Sequence, residues 1–169
     1  MLITRREISL YFLFVPALFL LGCATPPKPF RAKTGLLAQL QGSPEDLKPV
    51  LDKVLQRVND KFQYDSDSST YGESDYWIPA SESNGWRGDC EDHALLCREL
   101  LQAKGVYGSL LLTCWTETEQ YHCVLYMEGW ILDVRFSRVM SNTDLERVGY
   151  KWHKAGLEDG RWFYVDLSA

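Results

Sequence analysis

Trp86-Arg87-Gly88-Asp89-Cys90-Glu91-Asp92-His93-Ala94 leads into Leu95-Leu96-Cys97-Arg98-Glu99-Leu100-Leu101-Gln102-Ala103-Lys104-Gly105. This stretch reads as a helix over Asp89–Lys104, closed by Gly105 at its C-terminal cap. Ala94, Leu95, Leu96, Leu100 and Leu101 give it a broad apolar surface, which predicts a central helix. Cys90 falls in the first turn. There the unpaired backbone N–H groups and the helix dipole favour negative charge, and a thiolate is the reactive form of cysteine. Gly88 lets a substrate backbone come close.

A nucleophile needs a base and a group that orients the base. The chain has three histidines. His93 lies on the same helix as Cys90 and is read as structural. His153 sits in a polar late stretch and is read as exposed. His122 opens the strand-like run Tyr121–Met127, next to a second run, Trp130–Phe136, that carries Asp133. A turn at Glu128-Gly129 sets Met127 opposite Trp130 and Val124 opposite Asp133. Side chains alternate faces along a strand, so Asp133 shares a face with His122 and lies diagonal to it, within reach.

The surrounding chain sets the class. Ser43-Pro44-Glu45-Asp46 starts an earlier helix, with Ser as N-cap, Pro at the first position and acids in the first turn. Leu47, Val50, Leu51, Val54, Leu55, Val58 and Phe62 recur at helical spacing to its end near Lys61–Phe62. Residues 64–85 are polar and form a long loop. Gly108–Thr116, Tyr121–Met127 and Trp130–Phe136 read as an antiparallel meander, Asn142–Arg147 as a short helical turn and Arg161–Leu167 as a last strand. Helices followed by a sheet make an α+β protein.

At the N-terminus, Arg5-Arg6 precede an apolar run from Ile8 to Leu21, then Leu20-Leu21-Gly22-Cys23. The run is shorter than the ~20 residues a bilayer span needs, and its end resembles the bacterial lipobox. The expected organisation is a lipoprotein signal peptide over 1–22, lipidated Cys23 with a proline-rich tether over 23–42, and one domain over 43–169. Ala24 after the cysteine favours the outer membrane, facing the periplasm. Formal net charge is −5 with no basic patch, which excludes nucleic acid as an expected partner.

Trp86-Arg-Gly-Asp-Cys-Glu-Asp-His-Ala94, with Val58-Asn59, Asp75-Tyr76-Trp77, Tyr121-His122-Cys123-Val124-Leu125 and Leu132-Asp133, resembles the bacterial transglutaminase-like cysteine proteinases. The resemblance implies a papain-like, transglutaminase-like α+β fold, with the nucleophile helix packed on an antiparallel sheet. It implies a cysteine protease acting on a protein or peptide through a Cys90-His122-Asp133 triad. The best-studied activity of the family is a calcium-requiring periplasmic protease that clips biofilm adhesins. A transglutaminase-type acyl transferase and a catalytically silent lipoprotein that binds a partner through the groove are the competing readings.

Asp89, Glu91 and Asp92 crowd Cys90. Acids in a first helical turn cap N–H groups, but three beside a thiol raise its pKa. A bound cation offsets that, and carboxylate oxygens suit calcium. Asp89 and Glu91 match the positions that matter for calcium in the family. Trp77 and Trp86 are candidates for the walls of the substrate groove, with the hydrophobic core as the equal alternative for each. A loop at Glu117–Gln120 would set Cys114 opposite Cys123, permitting a disulfide, although two reduced core thiols are the expected state; Cys97 is expected buried and unpaired.

Overall fold

The structure, a computed structural model, describes residues 44–165. The signal segment, Cys23, the tether and Ser43 lie outside the described residues. Helix α1 spans Pro44–Asn59, with Glu45 and Asp46 in its first turn and Arg57 in its last, each sign matched to the helix dipole. Phe62 continues the apolar pattern but not the helix: both Lys61 and Phe62 donate to the Val58 carbonyl, and the chain turns into β1, Gln63–Tyr64. The loop beyond holds a short helix, α2 (Asp67–Thr70), and one turn of 3-10 helix at Glu82–Asn84. It returns as β2, Arg87–Gly88, which pairs in parallel with β1. Helix α3 then runs Cys90–Gln102.

The remaining strands are β3 (Leu110–Trp115), β4 (Tyr121–Met127), β5 (Trp130–Leu132), β6 (Met140–Ser141), β7 (Lys151–Gly156) and β8 (Trp162–Tyr164), with α4 (Asn142–Arg147) between β6 and β7. They form one antiparallel sheet in the order β6-β5-β4-β3-β7-β8. Thus β3 to β5 form the meander expected from sequence, its third strand ending at Leu132 and not at Phe136, while β6 extends one side and β7–β8 the other. On one face, Leu51, Val54, Leu55 and Val58 of α1 pack with Ala94, Cys97 and Leu101 of α3 over Leu111, Cys123, Leu125 and Leu132. On the other, Leu112, Cys114, Val124 and Ile131 pack with Leu145 of α4 and Tyr150.

Two hairpins decide where chemistry lands. Glu128 and Gly129 have φ of 49° and 88°, the left-handed pair a two-residue turn requires. Met127 pairs with Trp130 and Leu125 with Leu132, as the sequence predicts. The β3–β4 register differs by one residue from expectation. Trp115 pairs with Tyr121 and Cys114 with His122, while Cys123 faces Thr113. The loop takes Thr116 as well: its backbone N–H and hydroxyl both bond Gln120. A slip of one residue reverses faces. Cys114 therefore lies on the His122 side and Cys123 on the α3 side, so no bridge joins them, and Cys97, Cys114 and Cys123 are buried thiols.

Strand β7 occupies the polar late stretch in which His153 is expected to be exposed. Lys154 pairs with Thr113 and Trp152 with Cys114, so His153 is an extra residue in the ladder and breaks the alternation that marks a strand. It is half-buried, with Nδ1 3.1 Å from the Tyr121 hydroxyl.

Candidate active site and acidic cluster

Cys90 begins α3 beneath an N-cap, Asp89, whose carboxylate accepts from the Glu91 N–H at 3.3 Å. β2 delivers this corner. Gly88 is needed there because a Cβ would lie 2.2 Å from Asp92 Oδ2. Asp92 is buried and ties the preceding loop to the helix. It accepts from the Ile78 N–H at 3.0 Å and the Tyr71 hydroxyl at 3.4 Å.

The Cys90 thiol donates to Glu91 Oε2 at 3.0 Å. Burial first, then the charge and hydrogen bond of Glu91, push this thiol far above its ordinary pKa; a backbone hydrogen bond from Cys123 works the other way. A cleft of about 520 Å³ opens beside it, lined by Cys90, Glu91, His122, Trp77, Lys154 and Trp162 among others. His122 Nε2 lies 2.8 Å from Asp133 Oδ1, and both residues are buried. Asp133 also accepts from the Arg135 N–H and the Tyr150 hydroxyl, each at 2.9 Å. Burial works to raise the Asp133 carboxyl, but His122, Arg135 N–H and Tyr150 together outweigh it, and its pKa is lowered. Arg135 in turn pairs with Glu117 and donates to the Tyr150 hydroxyl at 2.9 Å. Arg135, Tyr150 and Glu117 were not singled out in the sequence. Only Arg135, two residues after an aspartate, had a local signal, the Asx turn it makes with Asp133.

The acids form overlapping groups with ligand atoms within 4.8 Å of one another: Asp89 with Cys90 and Glu91, Asp67 with Asp89 and Asp92, and Asp67 with Asp75 and Glu91. Asp67 and Asp75 come from the long loop; Asp67 carried no sequence signal, and Asp75 stands in the family-like Asp75-Tyr76-Trp77 but was not read as a ligand. Asp67 is buried, its Oδ2 accepts the Tyr76 N–H, and its Oδ1 has no hydrogen-bond partner. Burial first, then Glu91, raises Asp89 to about 8; burial first, with Asp67 and Asp89 adding to it, raises Asp92 to about 6. An orphaned buried carboxylate oxygen among acids that resist ionising together is a set of hard donors lacking a positive charge, which fits calcium. Glu91 and Asp92 share no group, so the three acids expected from sequence divide between two sides of the cluster.

Trp77 lines the cleft; Trp86 does not. Trp86 sits at φ 62° with Lys61 Nζ 4.7 Å from its ring, in a separate cavity of about 230 Å³ beside Val58 and Leu96. Its left-handed backbone turns the side chain onto the helix pair and away from Cys90.

A family model described as bacterial transglutaminase-like cysteine proteinase, BTLCP, matches residues 14–168. The chain belongs to this family. It is therefore a cysteine peptidase with the transglutaminase-like α+β fold that the resemblance implied. Among solved structures, Legionella pneumophila LapG matches with a TM-score of 0.58 at 26% identity, over 77% of this chain and 74% of that one. Its calcium-bound form matches with a TM-score of 0.56 at 28% identity, over the same shares of the two chains. An EGTA-treated form matches at 24% identity, over 80% of this chain and 75% of that one, with a TM-score of 0.59. No curated protein matches the chain.

In this peptidase His93 is turned away from the chemistry. It is fully buried, with Nε2 2.9 Å from Asn59 Oδ1 and its ring edge-on to Phe62. Burial lowers its pKa to about 4. A base depressed in the folded state costs stability as pH falls from its unfolded value, ~6.5, towards 4, because the unfolded chain takes up the proton first. Urea unfolding at pH 7.5 and 4.5 checks this. The wild type is expected to lose more stability between the two than His93→Gln, which keeps an amide for Asn59 without the titration. Equal losses would show that His93 is not buried neutral.

Proposed function

We propose that the chain is a lipid-anchored protease facing the periplasm that cleaves a surface or envelope protein, using Cys90 as nucleophile, His122 as base and Asp133 as orienter. The observation that carries this reading is the shared cleft. The helix-start thiol and the histidine held by a buried carboxylate line one cavity. With Nε2 on Asp133, His122 keeps Nδ1 for the thiol proton. Asp133 fixes the ring and stabilises the imidazolium, and Tyr150 and Arg135 fix Asp133. Cys90 attacks the carbonyl carbon, and the thioester forms as the amine leaves with the proton from His122. The Cys90 N–H at the start of α3 is placed to donate to the oxyanion. Water then hydrolyses the thioester, with His122 as base again.

Calcium is the cofactor this site suits. Asp67, Asp75, Asp89 and Glu91 would hold it, with Asp92 at the edge of the same cluster. When bound, it supplies positive charge that withdraws Glu91 from the thiol and lowers the cost of ionising Cys90. The calcium-bound LapG structure supports the reading. The lipobox at Cys23 supports the anchor, and Ala24 supports the outer membrane.

Cys90→Ala and His122→Ala are expected to abolish cleavage with folding intact by circular dichroism, and Asp133→Asn to lower kcat by about 10⁴-fold. Comparing surface and secreted proteomes of wild type and Cys90→Ala cells identifies the substrate; a fully active His122→Ala enzyme would remove His122 as base. EGTA is expected to end turnover and lower Tm, with calcium but not magnesium restoring both, and Asp89→Ala to recover neither. Undiminished turnover in EGTA would exclude the cation. Cys23→Ser is expected to move the protein from the membrane to the soluble fraction; unchanged membrane retention would refute the anchor.

A further inference from the structure

The loop after α2 serves the acidic cluster and the cleft at once. Asp75 belongs to the acidic group with Asp67 and Glu91. Two residues on, Trp77 lines the cleft. The two side chains are joined, because Trp77 Nε1 donates to Asp75 Oδ1 at 2.6 Å. The Trp77 ring also meets Trp162 edge-on, with centroids 5.5 Å apart and planes at 90°.

Trp162 comes from β8 at the sheet edge, and a glycine makes its seat. Gly156 on β7 pairs with Trp162, and a Cβ there would lie 2.7–2.8 Å from three atoms of the indole. The ring thus lies directly on the β7 backbone and faces the loop that carries Trp77. Trp77 and Trp162 are 38% and 39% exposed, so their contact is a surface contact beside the cleft and not part of the core.

We propose that Trp77 is a positioning residue that couples the cation site to the substrate cleft. The proposal rests on the calcium reading above, which the orphaned Asp67 Oδ1 supports from a separate observation. A carboxylate can hold an indole N–H on one oxygen and a cation on the other. A cation shared by Asp67, Asp75 and Glu91 fixes Asp75, Asp75 fixes Trp77, and Trp77 closes on Trp162. Without the cation Asp75 is an exposed carboxylate beside two other acids. Like charges drive it outward, and Trp77 moves with it. The cleft that receives the polypeptide then loses the wall formed by the two indoles. The cation in this account shapes substrate binding as well as the thiol.

The test uses the purified full chain, with calcium alone as the probe. Thermal unfolding reports binding, and acrylamide quenching of tryptophan emission reports shielding of the indoles. In wild type, calcium is expected to raise Tm and to lower the quenching constant. Trp77→Phe keeps a ring but loses the N–H to Asp75. It is expected to keep the Tm rise and lose at least half of the calcium-dependent change in quenching, since Trp162 is then no longer covered. Trp162→Leu carries the same test from the other side should Trp77→Phe fail to fold. An unchanged calcium effect on quenching in either folded variant overturns the coupling and leaves the calcium site standing. Absence of any calcium-induced Tm rise in wild type overturns the calcium reading and the coupling with it.

Discussion

A hydrogen bond of 3.0 Å from the Cys90 thiol to Glu91 governs this site. A helix N-terminus ordinarily favours a thiolate. Here the same turn carries Asp89, Glu91 and Asp92, and the loop before it brings Asp67 and Asp75 against them. Negative charge thus surrounds the thiol proposed as the nucleophile. Burial and the neighbouring acids hold the Asp89 and Asp92 carboxyls well above the usual carboxylate range. The calcium proposed for this cluster would offset that charge and draw Glu91 from the thiol.

The base side of the cleft is built on the opposite principle, with both oxygens of its carboxylate paired to donors. Asp133 takes hydrogen bonds from His122, Arg135 and Tyr150, and Arg135 is held by Glu117. Three hydrogen-bond donors meet this carboxylate, so its pKa is lowered despite burial. The two halves of the cleft therefore differ in readiness. The His122–Asp133 pair is hydrogen-bonded as folded, whereas the Cys90 thiol is held by the Glu91 carboxylate.

Much of this was legible in the residues. The Glu128-Gly129 turn fixed the β4–β5 register, and with it the pairing of His122 and Asp133, because a two-residue turn leaves one geometry. The helix carrying Cys90 was bounded by its cap and by Gly105. The β3–β4 register was not readable, since Thr116 can end a strand or join a loop and only its bonds to Gln120 decide. β7 was hidden by the bulge at His153. The place of Asp67 and of Asp75 in the acidic cluster was not readable, even though Asp75 stands in a family-like motif, because nothing local tells a loop that its acids will fold onto a distant helix start. Trp86 was misplaced for a related reason: its left-handed backbone, not its neighbourhood in sequence, sends the ring away from the cleft.

The account turns on whether the acidic cluster controls the reactivity of Cys90. The direct measurement is the pH dependence of Cys90 alkylation by iodoacetamide, followed on its own peptide by mass spectrometry, with calcium and with EGTA. Glu91 holding the thiol predicts that calcium moves the midpoint to lower pH and speeds alkylation at pH 7. Superimposable profiles in calcium and EGTA would contradict it.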